Sequence, residues 1–320
     1  MTGPRDHGGG IDAARAHYGG ARQEWIDLST GINPHPYPVA DLPADAWTAL
    51  PDAGAMEQLL SAARSFWSVP ETAAIMAAPG ASAIIAQIPF LRGAGRVSIP
   101  SPTYNEHAAS FRIAGWTVLE AMQEAEASVV VHPNNPDGAF HTSPDADLVV
   151  IDESFCDVAP DRSLITEATR PGRIILKSFG KFWGLAGMRL GFAIGDPDLI
   201  GTLKDRLGPW AVAGPALATG AAALNDGEWA EATRLHLTAE AARLDDLMIQ
   251  AGARVVGGTS LFRLYDTDDA ARWQDALARN HIWSRIFPYS KTWLRLGLPP
   301  ADGWERLTQA VSSAQATARR

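Results

Sequence analysis

The hydrophobic pattern of the chain alternates between short apolar runs and stretches with helical spacing. Continuous apolar runs at 148–151 and 174–176 are typical of strands that are buried on both faces. Apolar residues at helical spacing over 56–67 predict a helix that ends before Pro70. Strands and helices alternate in this way from 71 to about 195, which predicts a mostly parallel sheet covered by helices on both faces.

The C-terminal third has a different pattern, in which shorter apolar segments follow two helical stretches near 215–225 and 228–251. These segments predict a second, smaller α/β unit. Its expected strands are 255–256, 260–264, 283–286 and 292–296, and its expected helices are 268–280 and 303–318. We therefore expect an α/β fold with a large domain over 41–210 and a small domain, with an N-terminal arm, formed by 1–40 and 211–320.

The composition limits the classes of function. A length of 320 residues and a hydrophobic content of 46% suffice for two modest domains. The net charge of −9 and the pI of about 5.4 disfavour a role in binding nucleic acid or an anionic membrane. No apolar run approaches the roughly 20 residues that span a bilayer, and the N-terminus has no hydrophobic signal core. The single cysteine, Cys156, excludes an internal disulfide and indicates a small buried side chain in a cytoplasmic protein.

One segment, 174–191, combines residue types that suit a covalently bound, phosphorylated cofactor. Lys181 follows a predicted strand end among Phe and Trp residues, so burial is expected to lower the pKa of its amine and make it nucleophilic. Ser178 and Arg189 offer a hydroxyl group and a bidentate guanidinium for a phosphate. Together they indicate a Schiff base with a phosphorylated aldehyde. The alternative is a lysine that extends to solvent, with Arg189 in a surface ion pair.

Two further segments suit the same chemistry. Gly80-Ala81-Ser82 is a turn between a predicted strand and helix. Its free N–H groups and the helix dipole favour a phosphate, although most such turns are only helix caps. Asp152 ends an apolar strand, where a carboxylate faces the ligand crevice of an α/β sheet and can keep a pyridine nitrogen protonated. Glu153 alternates to the other face, and we interpret it as structural.

The sequence Ser-x-x-Lys followed by Gly-Leu-Ala-Gly-x-Arg-x-Gly resembles the cofactor-lysine segment of class I/II aminotransferase-fold enzymes, which bind pyridoxal 5′-phosphate (PLP). The resemblance implies PLP fold type I, with a mostly parallel, seven-stranded-type sheet in the large domain. It implies that Lys181 and Asp152 are catalytic. It also implies that Tyr104 stacks on the pyridine ring and that Asn135 bonds the phenolate oxygen. The implied cofactor-binding residues are Gly80, Ala81, Ser82, Tyr104, Asn135, Asp152, Ser178, Lys181 and Arg189.

Arg295 alternates with apolar neighbours on a predicted strand, and an arginine on a half-buried strand requires an anion. An internal salt bridge or a ligand would satisfy it equally well. The resemblance implies a ligand, because an arginine matching Arg295 binds the substrate carboxylate in this family. The implied substrate-binding residues are His7, Gly8, Gly31, Asn135, Arg285 and Arg295, and no metal is expected.

Two groups within the family compete: the histidinol-phosphate aminotransferases and the L-threonine-O-3-phosphate decarboxylases of adenosylcobalamin biosynthesis. The opening His7-Gly8-Gly9, the Phe155 that replaces a usual Tyr, and the loop at 209–212 are similar to the decarboxylases. The expected reaction is therefore decarboxylation of O-phospho-L-threonine to (R)-1-aminopropan-2-yl phosphate. The alternatives are a histidinol-phosphate-type aminotransferase and a non-catalytic cobalamin-pathway partner that retains the fold.

Three positions depart from the family pattern. Gly31 and His132 each stand where the family commonly has Asn, and Leu50 stands where a Tyr usually reaches the partner subunit's cofactor phosphate. The change at His132 is minor, whereas those at Gly31 and Leu50 predict a cofactor affinity or a substrate position that differs from the family pattern. The resemblance otherwise implies a cytoplasmic homodimer that acts on a small phosphorylated amino acid.

Overall fold

The computed structural model describes residues 6–318 and divides into two compact units. The larger unit comprises Pro36–Asn135 and Ala139–Ala232. Within the described range, the smaller unit comprises 6–35, Pro136–Gly138 and 233–318. No helix in the described range is both long enough and apolar enough to cross a membrane.

The regular elements agree closely with the predicted alternation. The helices are α1 Ile11–Tyr18, α2 Asp45–Thr48, α3 Ala53–Phe66, α4 Ala81–Gln87, α5 Asn105–Ile113, α6 Pro197–Leu207, α7 Gly214–Leu224, α8 Gly227–Gln250, α9 Ala270–Ala278 and α10 Trp304–Ala318. The strands are β1 Ile26–Asp27, β2 Ala74–Ala78, β3 Arg96–Ser98, β4 Thr117–Leu119, β5 Ala127–Val131, β6 Leu148–Asp152, β7 Arg173–Ser178, β8 Gly191–Gly195, β9 Arg254–Thr259, β10 Phe262–Asp266, β11 Ile282–Trp283, β12 Arg285–Phe287 and β13 Ser290–Gly297.

The larger unit is built on a seven-stranded sheet in the order β2-β8-β7-β6-β5-β3-β4. Only β8 runs antiparallel to its neighbours β2 and β7, so the expected mostly parallel sheet is confirmed. All five residues of β5 and of β6 are buried, which explains the continuous apolar runs at 129–131 and 148–151 within them. In a parallel sheet the carboxyl ends of β5, β6 and β7 meet at one edge, and the segments that follow these strands carry the predicted site.

Alternate residues of the central strands pack into one hydrophobic core. Val129, Val150 and Leu176 lie in this core together with side chains of α4, α5 and α6. Phe111 of α5 packs edge-on against Trp116, with their ring centroids 5.2 Å apart. Because successive side chains of a strand point to opposite faces, one face of the sheet carries this hydrophobic core.

The other face of the sheet holds a buried ion cluster. Lys177 Nζ lies 2.6 Å from Glu153 Oε2 and 3.8 Å from Asp157 Oδ1, and all three side chains are buried. Burial alone would lower the pKa of Lys177, but the adjacent carboxylates of Glu153 and Asp157 raise it above its ordinary value. The indole N–H groups of Trp67 and Trp183 donate to the two oxygens of Asp157. The interpretation of Glu153 as structural is consistent with this cluster, whereas Lys177 was not anticipated.

The smaller unit contains a four-stranded antiparallel sheet, β12-β13-β10-β9, and a parallel pair formed by β1 and β11. Helices α9 and α10 pack against each other, and α9 also packs on β13. The compact units divide the chain at other residues than the predicted domain limits: 36–40 and 211–232 lie in the larger unit, and Pro136–Gly138 lies in the smaller one. Close packing of α7 on α3 accounts for the place of α7 in the larger unit: a Cβ atom at Gly220 would lie only 2.9 Å from Leu59 Cδ1.

We expect Lys177→Met to lower the free energy of unfolding by about 3–5 kcal/mol, because it removes the cation that compensates the buried carboxylates. Urea unfolding of the full chain, followed by circular dichroism, measures the change. Lys204→Met on the exposed side of α6 is the matched control and should change stability by no more than about 0.5 kcal/mol. A Lys177→Met variant as stable as this control would contradict a stabilising role for the ion cluster.

Candidate active site

The two segments predicted to bind a phosphate lie side by side in the larger unit. Strands β2 and β8 pair through Ala78 and Gly191, so the turn after β2 meets the loop before β8. Gly80 has a φ of +87°, and a Cβ atom there would lie 2.5 Å from Arg189 Nη2. A Cβ atom at Gly191 would collide with the backbone nitrogen of Ala81. Glycine at these two positions therefore lets the Arg189 guanidinium approach the N–H groups of the turn.

Lys181 lies in the loop that follows β7, within the larger unit. Its Nζ atom is 5.1 Å from the centre of the Phe155 ring, a cation–π contact, and the residue is partly exposed. The neighbouring Phe179, Phe182 and Trp183 are fully buried and anchor the loop on the sheet. Phe179 and Trp183 stack with a ring separation of 4.9 Å. The aromatic residues thus hold the loop in place while Lys181 remains accessible for covalent chemistry.

Asp152 occupies the end of β6 and is only 2% exposed. Its Oδ2 atom lies 2.8 Å from His107 Nε2, and its Oδ1 atom accepts hydrogen bonds from the backbone N–H and the hydroxyl of Ser154 at 3.0 and 2.5 Å. Burial alone would raise the pKa of Asp152, but the bonds from His107 and Ser154 hold it below its ordinary value. The carboxylate is therefore ionised at neutral pH and suits a cationic partner.

Tyr104 precedes α5 and lies beside this carboxylate. Its ring is edge-on to His107, with centroids 6.0 Å apart, and its hydroxyl is hydrogen-bonded to Ser82. Burial, and then the charge of Asp152, raise the pKa of Tyr104 to about 12. The phenol is therefore protonated at neutral pH. Three predicted residues from three separate segments, Ser82, Tyr104 and Asp152, are brought together.

The departure at His132 has a local structural explanation. Its Nδ1 atom accepts the backbone N–H of His141 at 2.9 Å, which leaves Nε2 to donate to the Arg162 carbonyl at 2.7 Å. The backbone N–H of His132 also bonds the carbonyl of Asp152 at 2.8 Å. The imidazole therefore orders the turn that leads to Asn135, which is half-buried in the larger unit.

The smaller unit contains two arginines on adjacent strands. Arg285 of β12 and Arg295 of β13 are directly opposite each other. Arg295 is 4% exposed, donates from Nη2 to the Ser29 carbonyl at 2.5 Å and lies 5.1 Å from the centre of the Phe262 ring. Burial, and then the charge of Arg285, lower the pKa of Arg295 to about 10. Arg295 is therefore still cationic at neutral pH, and two adjacent guanidinium groups favour an anion.

One such anion is supplied by the chain itself. The carboxylate of Asp6 pairs with Arg285 in a bidentate manner, at 2.5 Å to Nη1 and 2.7 Å to Nη2. Arg285 also donates to the carbonyls of Asp6 and His7 at 3.1 and 2.8 Å. The His7 side chain is exposed, and a Cβ atom at Gly8 would collide with the Ser29 carbonyl. The predicted residues His7, Gly8 and Arg285 are thus neighbours, and Asp6 is an unpredicted member of this group.

The two other departures from the family pattern differ in their structural setting: Gly31 has an unusual backbone conformation, and Leu50 is exposed. Gly31 has a φ of +63°, in the left-handed region that glycine and asparagine adopt more readily than other residues. Glycine therefore preserves a backbone conformation that is also compatible with the Asn of the family pattern. Leu50 is 64% exposed, so its side chain has no packing role within the larger unit.

A family model described as aminotransferase class I and II matches residues 24–312. The chain belongs to this family. A threonine-phosphate decarboxylase of a Sinorhizobium species is 39% identical, with 98% of this chain and 99% of that protein covered. A threonine-phosphate decarboxylase of Pseudomonas aeruginosa is 38% identical, with 96% and 97% covered. The solved histidinol-phosphate aminotransferase from Sinorhizobium meliloti, in complex with pyridoxal-5′-phosphate, has a TM-score of 0.85 at 18% identity and covers 97% of this chain and 95% of that one. The family and PLP fold type I expected from the sequence are confirmed.

Sequence reasoning missed residues that support this family site. His107 lies on α5, and the burial of Ser110 and Phe111 at i+3 and i+4 marks the helix face that meets the sheet. A polar residue on such a face is a detectable signal for a buried partner. Asp6 carried no comparable signal, because it lies in an irregular N-terminal segment.

We expect Gly80→Ala to weaken PLP binding by tenfold or more. The added Cβ must displace the Arg189 guanidinium or strain a left-handed backbone, at a cost of about 1–3 kcal/mol. The measurement is the PLP dissociation constant of the full chain, followed by the visible absorbance of the bound cofactor. Gly93→Ala is the control, because a Cβ at Gly93 has open space. Equal PLP affinities of the two variants would contradict the proposed closeness of turn and arginine.

Proposed function

We propose that the chain is a PLP-dependent lyase that decarboxylates O-phospho-L-threonine to (R)-1-aminopropan-2-yl phosphate in adenosylcobalamin biosynthesis. The observation that carries the proposal is the likeness, at 38–39% identity over nearly the whole chain, to two proteins named threonine-phosphate decarboxylase. The opposed Arg285 and Arg295 support it, because the substrate has both a carboxylate and a phosphate.

The residues of the larger unit fit PLP. The turn at Gly80, Ala81 and Ser82 beside Arg189 forms a cradle that a Cβ atom at Gly80 would fill. This cradle, with Ser178, would hold the cofactor phosphate, and Tyr104 and Asn135 would contact the ring and its phenolate oxygen. Lys181 would bind the cofactor aldehyde covalently. PLP, when bound, supplies an electron sink for the bond that is broken at the substrate Cα atom.

Asp152 would act on the ring nitrogen. Its carboxylate is ionised at neutral pH because His107 and Ser154 hold its pKa below the ordinary value against the effect of burial. An anion at this position keeps the ring nitrogen protonated, which makes the ring a better electron acceptor. His107 is a positioning residue, since its Nε2 atom bonds Oδ2 at 2.8 Å and orients the carboxylate.

The substrate residues would decide which bond at Cα breaks. Arg295 would bind the carboxylate, and Arg285, with His7 and Gly8, would bind the phosphate. Gly31 and Asn135 complete the proposed set. Holding both anionic ends fixes the torsion about Cα and can place the carboxylate, rather than the hydrogen, perpendicular to the cofactor ring. After CO₂ leaves, Lys181 or a water molecule returns a proton to Cα.

The same proposal includes a cytoplasmic homodimer. Large apolar side chains that are exposed on the chain lie in the segment where the family resemblance implies contact with a partner subunit: Val39, Trp47 and Leu50. Their exposure supports burial in an interface. The presence of one cysteine, buried and free, is consistent with a reducing compartment.

The deciding experiment supplies the PLP-loaded full chain with either O-phospho-L-threonine or histidinol phosphate plus 2-oxoglutarate. We expect CO₂ and 1-aminopropan-2-yl phosphate from the first mixture and no glutamate from the second. Lys181→Ala should remove both turnover and the visible absorbance of covalently bound PLP, whereas Lys204→Ala should retain both.

The other outcomes separate the alternatives. Glutamate formation without CO₂ would identify an aminotransferase. A colourless protein that cannot be reconstituted with PLP would favour the non-catalytic partner. Either result would overturn the decarboxylase proposal.

If Arg285 binds the substrate phosphate, Asp6 must first release it. We therefore expect Asp6→Asn to lower the KM for O-phospho-L-threonine by roughly tenfold, since a charge-assisted bond that competes with substrate is lost. Asp12→Asn, an exposed carboxylate in the same part of the chain, is the control and should leave KM unchanged. A higher KM in Asp6→Asn would instead show that Asp6 helps to bind substrate or to position Arg285.

A further inference from the structure

A cluster of metal-ligand side chains lies within the smaller unit, apart from the residues assigned to the cofactor and substrate. It consists of His35, His236 and Glu240, and one ligand atom from each lies within 4.8 Å of the others. We refer to these three residues as the His–Glu cluster. No metal was expected from the sequence, in which His35 lies far from His236 and Glu240.

Helix α8 supplies two of the three side chains. His236 and Glu240 are four residues apart, so they lie on one face of the helix. His35 comes from the N-terminal segment, where its backbone N–H donates to Asn33 Oδ1 at 2.9 Å. The rings of His35 and His236 meet edge-on, with centroids 4.7 Å apart. Two imidazoles and a carboxylate therefore converge from two fixed backbone segments.

The His35 ring has an unsatisfied nitrogen. Its Nε2 atom is buried and has no hydrogen-bond partner within residues 6–318. A buried polar atom without a partner is unfavourable, so native structures usually satisfy it with a protein group, a water molecule or an ion. A metal ion bound by the His–Glu cluster would satisfy this nitrogen.

The Glu240 carboxylate is held in position by side chains outside the His–Glu cluster. The indole N–H of Trp304 donates to Glu240 Oε2 at 2.6 Å, while Arg243 Nη1 lies 3.9 Å from Oε1. The Arg243 guanidinium itself is held over the Trp304 ring at 4.0 Å. An outer hydrogen bond such as the one from Trp304 fixes the carboxylate of a metal ligand and raises metal affinity. The Trp304 bond occupies one oxygen and leaves Oε1 as the better candidate ligand atom.

We propose that the His–Glu cluster binds a divalent late transition metal of the Zn²⁺, Co²⁺ or Ni²⁺ class. Two imidazoles and one carboxylate form a known set of zinc ligands, with water in the remaining position. Tetrahedral ligands at about 2.0–2.2 Å from zinc are roughly 3.4 Å from each other. The ligand atoms lie within 4.8 Å of one another, so binding would require a side-chain adjustment, for which the exposed His236 is free enough.

A second group of potential ligands does not support a metal. His132, Glu153 and Cys156 also lie close together. Both ring nitrogens of His132 are bonded to backbone groups, and Glu153 is bonded to Lys177. The His132 ring and the Glu153 carboxylate therefore already have hydrogen-bond partners, whereas the His–Glu cluster has a nitrogen that a ligand would satisfy.

The test is titration of the PLP-loaded, chelator-treated full chain with Co²⁺, followed by calorimetry and by the visible absorbance of the metal. We expect one Co²⁺ per chain, displaced by Zn²⁺. His236→Ala and Glu240→Gln should each lower the affinity by at least tenfold, and Trp304→Phe by about tenfold, because an outer-sphere bond is typically worth about 10–100-fold. His17→Ala and Asp246→Asn are controls, since both residues are exposed and lie outside the cluster.

The comparison between variants separates this site from other metal binding. All variants share the same PLP site, so any metal bound there affects them equally. The proposal is overturned if the unmodified chain binds no stoichiometric Co²⁺, or if His236→Ala and Glu240→Gln bind it as tightly as the controls. Because the readout is metal binding, a failed decarboxylase assay has no bearing on the result.

Discussion

The buried contact between Lys177 and Glu153 is the constraint on which the geometry of the larger unit depends. It joins the ends of β6 and β7 on one face of the sheet. On the opposite face of β6, the adjacent Asp152 meets His107, and four residues after Lys177 the chain reaches Lys181. A buried ion pair is weak evidence for stability, but removing either partner leaves an uncompensated charge. The contact therefore fixes the relative position of two strand ends that lead to Asp152 and Lys181, the two residues proposed to be catalytic.

Close backbone approach is the second constraint, and glycine makes it possible. The turn after β2 and the loop before β8 can lie together only because neither Gly80 nor Gly191 carries a side chain. Gly31 meets a different backbone requirement, because its φ of +63° lies in the left-handed region that few residues adopt readily. Each of these three glycines lacks a functional side chain but meets a requirement of the backbone.

Much of the fold and of the cofactor site could be predicted from the sequence, because buried strands and short motifs carry local signals. The apolar runs of β6 and β7 predicted their burial, and Lys181 and Asp152 follow from their places at strand ends. Lys177 could not be predicted, because a lysine in an apolar strand looks like an interruption until Glu153 is placed next to it. Asp6 was missed for a related reason: its partner Arg285 is far away in sequence. The place of α7 in the larger unit could not be read from the sequence, since its packing on α3 depends on shape rather than pattern.

In the smaller unit, two arginine side chains lie opposite each other on neighbouring strands, and their charges repel. Arg285 and Arg295 are opposed on neighbouring strands, and burial and mutual repulsion already lower the pKa of Arg295 to about 10. Two like charges in this arrangement are stabilised when an anion lies near each. Asp6 supplies such an anion at Arg285. A substrate with two anionic ends would place one of its own anionic groups at Arg285 in place of the Asp6 carboxylate. Binding would therefore exchange one ion pair for another. Such an exchange favours doubly anionic amino acids over singly charged ones, because only a doubly anionic amino acid has a second anionic group to replace the Asp6 carboxylate.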